Sequence, residues 1–465
     1  MPSKYVIHTK QTDHRFEPLT KSGVIAWEEG CLKCPVCVKK ECVYGVYEKR
    51  QLSPGQMIDS IDNKCQNCLR CVQNCPAQLI QKSINPEFME MGDTHWTPDI
   101  IARLWYQGET GKIPVSGAGY PGPFSGPGFD SMWTDMSEIV RPTRDGIHGR
   151  EYISTGVDIG STPRNLLFDK EGRMVKNGSA ILDIPLPVIM RVPDFGAISD
   201  NTIKGWISAA KRLETLLAIP VKRIMPDFLK LSGHIIPVIS STDIDGLNGD
   251  EHTRMVEYIW DENGLRNMAK LKELFPSALV SVRLNLKGEY QKEALKIIEA
   301  GCSIINLEGS YNGRAGDDAS RYMKDTIREI HLLLVNEGLR DELTLLASGG
   351  FSMAEHVAKS ILCGADAVYV DFPILIALEC RMCRRCEKRL PCPVEIEKAS
   401  INWVAARTIN IMGAWHNQLL EVMGAMGIRD VRRLRGEVGR AMFFEELDEN
   451  IFGSLNRIEE GFELD

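Results

Sequence analysis

LTLLASGGFSMAEHVAKSILCGADAVYVDFP (343–373) reads as strand, glycine turn, helix and strand, and that order decides the fold. LTLLAS (343–348) is a short β-rich apolar run that stops at Ser348-Gly349-Gly350, and a helix begins near Ser352. AVYVD (367–371) is the next strand, and it ends at Phe372-Pro373 before an apolar helix. A strand, a helix and another strand joined this closely make a parallel pair with a crossover helix. Backbone N–H groups of such a glycine turn can cradle an anion, and barrels commonly bind phosphate after their last two strands. The alternative reading of Gly349 and Gly350 is a turn demanded by geometry alone.

Working outward, further candidate strands are PVIMRV (187–192), VKRIM (221–225), HIIPVIS (234–240), ALVSVRL (278–284) and SIINL (303–307). Helical patterns separate them at 201–217, 289–300, 319–337 and 353–363. Seven strands over this span predict an α/β fold, a (β/α)8 TIM barrel, whose usual size is about 250 residues. A doubly wound open sheet is the alternative. The eighth strand is expected either within 151–186 or between 225 and 278.

The 14 cysteines carry the chemistry. Cys65-x2-Cys68-x2-Cys71-x3-Cys75-Pro76 is a ferredoxin-type run, in which three close thiolates wrap one [4Fe–4S] cluster and the fourth reaches another. Cys31-x2-Cys34-x2-Cys37-x4-Cys42 repeats it with one extra residue and no proline. Crossed ligation assigns Cys31, Cys34, Cys37 and Cys75 to one cluster, and Cys42, Cys65, Cys68 and Cys71 to the other. Zinc prefers paired C-x2-C units, which the triplets do not supply. A third group, Cys380-x2-Cys383-x2-Cys386-x5-Cys392, suits a third [4Fe–4S] cluster, with zinc as the rival. Arg381, Arg384, Arg385 and Lys388 around it either offset cluster charge or form a solvated or docking face. Cys302 and Cys363 stand in apolar contexts and read as core residues.

The expected organisation is an N-terminal extension (1–24), an α+β two-cluster ferredoxin-like domain (25–85) and a Gly/Pro-rich connector (86–150). A barrel (151–379), a cluster segment (380–400) and a helical tail (401–465) follow. The connector holds a literal G-x-G-x-x-G at Gly117, Gly119 and Gly122, but Pro121 interrupts it and neither strand nor helix flanks it, so it is no dinucleotide site. A net charge of -8 argues against nucleic acid as a partner. With no apolar signal-like start and no run long enough to span a bilayer, the chain reads as cytoplasmic, without a transmembrane segment.

FDSMWTDMSEIVRP (129–142), VPDFGAIS (192–199), VSVRL (280–284), 338–370 and ILIALECRMCRRCEKRLPCPVEI (374–396) together resemble the FMN-binding synthase domain of glutamate synthase, especially the archaeal-type large subunit with an N-terminal ferredoxin module. The family's three cluster cysteines match Cys380, Cys386 and Cys392, and Cys383 adds a fourth. The resemblance implies an iron–sulfur flavoprotein oxidoreductase with FMN in the barrel. Its phosphate would lie on Ser348, Gly349, Gly350 and the backbone near Phe372, and the ring would pass close to Gly196 and Ala197. Arg283 stands where the family has a lysine beside the flavin, in a catalytic position; a buried ion pair is the alternative role.

Departures accompany the likeness. HIIPVISSTDIDGLNGDEH (234–252) replaces the family's glycine-rich GEGG segment, Ser310 to Gly316 replaces HDGGTGA, and Met1-Pro2 offers no N-terminal cysteine nucleophile. The expected reaction is reductive amination of 2-oxoglutarate, a small-molecule substrate. The alternative is an electron-transfer subunit that has lost this chemistry. Either role implies a redox partner protein, a ferredoxin or an NAD(P)H-oxidising or other electron-donating subunit, and membership of an oligomer or complex.

Overall fold

The computed structural model describes residues 5–26, 30–32, 34, 36–37, 42–47, 64–65, 67–113, 126–134, 153–161, 168–173, 181–316 and 320–459. The Gly117–Gly119–Gly122 motif lies outside them. The chain forms two compact units, one of Asp13–Arg103 with Glu379–Cys383, the other of Met1–Thr12, Leu104–Leu378 and Arg384–Asp465.

The smaller unit is built around sulfur. Its strands Ser22–Ala26 and Ile80–Ile84 pair antiparallel, Ser22 opposite Ile84 and Ala26 opposite Ile80. The pair brackets the cysteine runs, and a one-turn helix, Arg70–Gln73, carries Cys71 inward. The core there is Cys37, Val46, Tyr47, Cys71 and Ile80. So few apolar side chains make a small core, and such a module needs a staple of another kind.

The larger unit is a closed parallel barrel of eight strands, with helices around it. The strands are β1 Val188–Arg191, β2 Leu217–Pro220, β3 Ile235–Ile239, β4 Met255–Ile259, β5 Leu279–Asn285, β6 Ile304–Glu308, β7 Thr344–Ser348 and β8 Ala367–Val370. β8 closes on β1 through Val368 opposite Val188. Helices α1 Asp200–Arg212, α2 Gly264–Leu274, α3 Tyr290–Glu299, α4 Met323–Asn336, α5 Ala354–Cys363 and α6 Phe372–Ile376 follow β1, β4, β5, β6, β7 and β8. The open doubly wound sheet is excluded by that closure.

Two details differ from the sequence reading. Residues Val221–Arg223 form a 3-10 turn, not the strand predicted at 221–225. The second strand lies just before it, because α1 stops at Arg212, Glu214 turns with φ 54, and LAIP is left as a short buried run. The eighth strand is β4, MVEYI, inside the expected 225–278 interval, where the charge of Glu257 disguises it. A helix, Pro98–Thr110, lies within 86–150.

The antiparallel pair Val157–Gly160 with Ile181–Ile184 meets the start of β7. Thr344 Oγ1 both accepts from Gly160 N–H and donates to its carbonyl, each at 2.9 Å, which ties the pair to β7. The tail helix α7, Ile401–Met426, packs on α1 and α5. At Gly205 a Cβ would lie 2.6 Å from Val404, so only glycine permits this helix crossing.

Two buried histidines make the fold acid-sensitive. Burial, with the Arg340 guanidinium beside it, pushes His331 down to about 4, and its Nδ1 accepts from Arg340 Nε at 3.1 Å. Burial likewise pushes His416 down to about 4. An unfolded histidine titrates near 6.5, so between about pH 6.5 and 4 the unfolded chain binds more protons. Stability is therefore lost as pH falls through that window, on the order of 3 kcal/mol per histidine at full protonation of the unfolded state. Denaturation midpoints followed from pH 7 to 4 should fall, and His331→Gln should flatten the slope.

Candidate active site at the barrel mouth

The C-terminal ends of barrel strands gather polar side chains that no soluble core would bury without purpose. Arg191 ends β1 and sends Nη2 to Asp371 Oδ2 at 2.7 Å and Nη1 to Glu308 Oε1 at 3.2 Å. Arg283 on β5 reaches the same Glu308 oxygen at 3.2 Å and grips Glu257 Oε2 on β4 through Nε at 3.1 Å and Nη2 at 2.5 Å. Asn306 Nδ2 donates to the other Glu257 oxygen at 2.7 Å. Glu257 and Asn306 are fully buried, whereas Glu308 keeps a 27% exposed side chain. Two guanidiniums thus share one carboxylate that opens toward the mouth.

Electrostatics keeps these arginines charged. Burial opposes the charge of Arg283, but Glu257 and then Glu308 raise its affinity for the proton. Asp371 and Glu308 do the same for Arg191. Tyr369 on β8 is driven strongly upward, first by burial and then by Glu257, so its phenol stays protonated. Arg191 Nε, Asn306 Oδ1, Ser281 Oγ and Tyr369 Oη are buried in the barrel with no hydrogen-bond partner in the protein. Four orphaned polar atoms inside a packed barrel fit a polar guest.

Above them is an aromatic floor. Phe195, in the loop after β1, lies 4.8 Å from Phe372 between centroids, and Tyr311, after β6, meets Phe372 edge-on at 6.3 Å. The Arg384 guanidinium stacks on both, 5.0 Å from the Phe195 ring and 4.4 Å from Tyr311. Gly196 next to Phe195 has φ +136 and faces Leu375. Ala197 follows it on the same loop.

Ser348 is fully buried, and its hydroxyl donates to Leu307 O at 3.2 Å. Gly349 and Gly350 have φ +98 and +71, and their missing Cβ atoms let the loop after β7 press onto the loop after β6. A Cβ at Gly349 would lie 2.3 Å from Gly309 O, and one at Gly350 2.1 Å from Gly313 N. Geometry alone therefore requires both glycines, whether or not they also cradle an anion. Gly350→Ala should cost roughly 2 kcal/mol or more, from backbone strain plus overlap, read as a lower denaturation midpoint. The amide of Phe372 donates to Asp371 Oδ1 at 2.6 Å.

The cysteine runs present a second kind of site. Cys31, Cys34, Cys37 and Cys75 line one pocket, together with Leu32, Val36, Pro76 and Ile80. That grouping is the crossed one. Cys42, Cys65 and Cys75 pack against a core that holds Cys37, Cys71 and Tyr47. Cys75 Sγ accepts the amide of Leu79 and Cys380 Sγ that of Met382, both at 3.4 Å. Eight of the nine described non-glycine residues with positive φ flank cysteines: Asn67, Leu69 and Gln78, then Glu379, Met382, Arg384, Arg389 and Glu395. Left-handed residues among right-handed ones turn successive N–H groups inward, the concave arrangement many iron–sulfur sites use. Among the described residues, no three His, Cys, Asp or Glu side chains are disposed around a single metal ion.

Arg283 and the glycines were legible in the sequence, but Arg191, Glu257, Glu308, Asp371 and the Arg384 stack were not. An arginine closing the apolar run PVIMRV was the one available signal for the first of these.

Residues 255–429 match a family model described as the conserved region in glutamate synthase. The archaeal-type glutamate synthase (NADPH) of Dehalococcoides mccartyi is 24% identical, covering 88% of this chain and 92% of that one. The archaeal glutamate synthase (NADPH) of Archaeoglobus fulgidus is 23% identical over 92% of this chain and 95% of its own. Among solved structures, a flavocytochrome b2 variant with pyruvate bound has a TM-score of 0.42 at 13% identity, covering 74% of this chain and 82% of that chain. The closed barrel and the sequence kinship together define a (β/α)8-barrel protein similar to glutamate synthases. More particularly, residues 255–429 carry the region conserved in glutamate synthase, and the whole chain is similar to the archaeal-type glutamate synthases.

Proposed function

We propose that this oxidoreductase passes electrons between three [4Fe–4S] clusters and FMN, and that it reductively aminates 2-oxoglutarate at the barrel mouth. The observation that carries the electron path is the cavity lined by Cys31, Cys34, Cys37 and Cys75, the four thiols that crossed ligation groups together. The second cluster would be held by Cys42, Cys65, Cys68 and Cys71, and the third by Cys380, Cys383, Cys386 and Cys392. FMN, when bound, supplies conversion between single electrons and a hydride pair.

The chain's own residues do the rest. Gly196 and Ala197 allow close approach of a flat ring to the first loop, and Ser348, Gly349 and Gly350 offer backbone to a phosphate. Arg283, clamped by Glu257 and Glu308, presents a fixed positive charge that favours an anionic guest. Glu308, the exposed member, holds both guanidiniums in place at the mouth. The balance is 2-oxoglutarate, ammonium, two electrons and two protons giving glutamate and water. A partner protein, a ferredoxin or an NAD(P)H-oxidising subunit, would supply the electrons; among the described residues no helix is long and apolar enough to cross a membrane.

HIIPVISSTDIDGLNGDEH (234–252) favours a second reading, an electron-transfer subunit without amination chemistry, because it stands where the family has its glycine-rich segment. Turnover decides between them. Holoenzyme given 2-oxoglutarate, ammonium and reduced ferredoxin should form glutamate. Iron- and flavin-replete protein that oxidises the donor only when joined to a partner, and forms no glutamate, would sink the first reading.

A further inference from the structure

We infer that Tyr47 and Lys82 raise the reduction potential of one particular cluster of the cysteine module, the one assigned to Cys42, Cys65, Cys68 and Cys71. The inference rests on the cluster reading above. Tyr47 is 4% exposed, and its hydroxyl is buried. It stands in a core shared with Cys37, Cys71 and Ile80, with Cys42, Cys65 and Cys75 packed against that core. Its hydroxyl lies beside the Cys71 sulfur, with Cys37 and Cys42 behind it, and is placed to donate to Cys71.

Lys82 supplies a charge at the same cluster. The strand Ile80–Ile84 sends Ile80 into the core, and Lys82, two residues on, stands on the same face of the strand. Its Nζ contacts Cys65 Sγ and donates to Asn67 Oδ1 at 2.9 Å. Asn67 is itself held by Ser22 Oγ at 2.5 Å, on the opposite strand, and turns with φ 56. The ammonium is thus oriented by a side-chain relay that spans both strands of the sheet. Cys65 and Cys71 belong to one cluster under crossed ligation, so the phenol and the ammonium converge on it from two ligands.

Reduction adds negative charge to a cluster. A hydrogen bond to a ligand sulfur and a cation beside another both stabilise the reduced form more than the oxidised one, and the potential rises. An electron entering the module is thereby drawn toward this cluster.

The test is a redox titration of the full-length, cluster-loaded chain, followed by electron paramagnetic resonance, for the native sequence, Tyr47→Phe, Lys82→Met and Lys82→Arg. Tyr47→Phe and Lys82→Met should each lower the midpoint of the same single cluster and leave the other two unmoved, and Lys82→Arg should restore most of the loss. Midpoints that stay put, move together, or shift on different clusters in the two variants would overturn the inference. Iron and sulfide measured on the same samples test the underlying cluster reading separately, since a module without them refutes that reading itself.

Discussion

Arg283→Met is expected to remove turnover and to lower folding stability by about 3–5 kcal/mol, the usual cost of stranding one partner of a buried ion pair. The cost arises at Glu257, which is 0% exposed and takes two of its bonds from this guanidinium. Asn306 cannot neutralise the charge left behind. The double variant Arg283→Met/Glu257→Gln removes the stranded charge and should recover most of the stability. It should not recover turnover, because the cation at the mouth is still missing. Arg283→Lys should fall between, since an ammonium is a point charge and cannot hold Glu257 and Glu308 at once. Chemical denaturation and steady-state kinetics on the three proteins separate the two effects. A stable and fully active Arg283→Met variant would refute the role assigned to this residue.

Cys75→Ser is expected to remove the cluster that Cys34→Ser removes, although the two positions are far apart in sequence. Each substitution should cost about four of the chain's irons, the content of one cubane. The double variant should lose no more than either single one. Uncrossed ligation predicts the opposite, with Cys75 grouped among Cys65, Cys68 and Cys71 and an additive loss. The cavity that Cys75 shares with Cys31, Cys34 and Cys37 is the observation that favours the crossed proposal.

What could be read from the sequence, and what could not, divides along the range of the interactions. β7, β8 and their glycine turn were legible because continuous apolar runs bounded by Gly and Pro are local signals. The cysteine groups were legible for the same reason, ligand spacing being short-range. β4 escaped because Glu257 interrupts its apolar run, and nothing nearby reveals that Arg283, 26 residues later, satisfies that carboxylate from the next strand. β2 escaped because LAIP is four residues long and directly follows a helix. The mouth network joins β1, β4, β5, β6 and the end of β8, so its pairing exists only once the barrel closes. Arg384 is similar: its sequence neighbours are cysteines, while its contacts are rings from the first and sixth loops.

The functional picture couples these parts. Sulfur-lined folds handle single electrons, and a barrel mouth with fixed charges suits a two-electron step on an anionic substrate. In the proposed function, valence matching between the two is the reason for one chain to carry both. The most direct measurement of that claim is the content of iron, acid-labile sulfide and released flavin per chain in protein purified without oxygen. The account predicts about twelve irons, an equal amount of sulfide and one FMN, because three cubane clusters hold four irons each. Protein that folds fully with zinc in place of iron, or that releases no flavin, would contradict it.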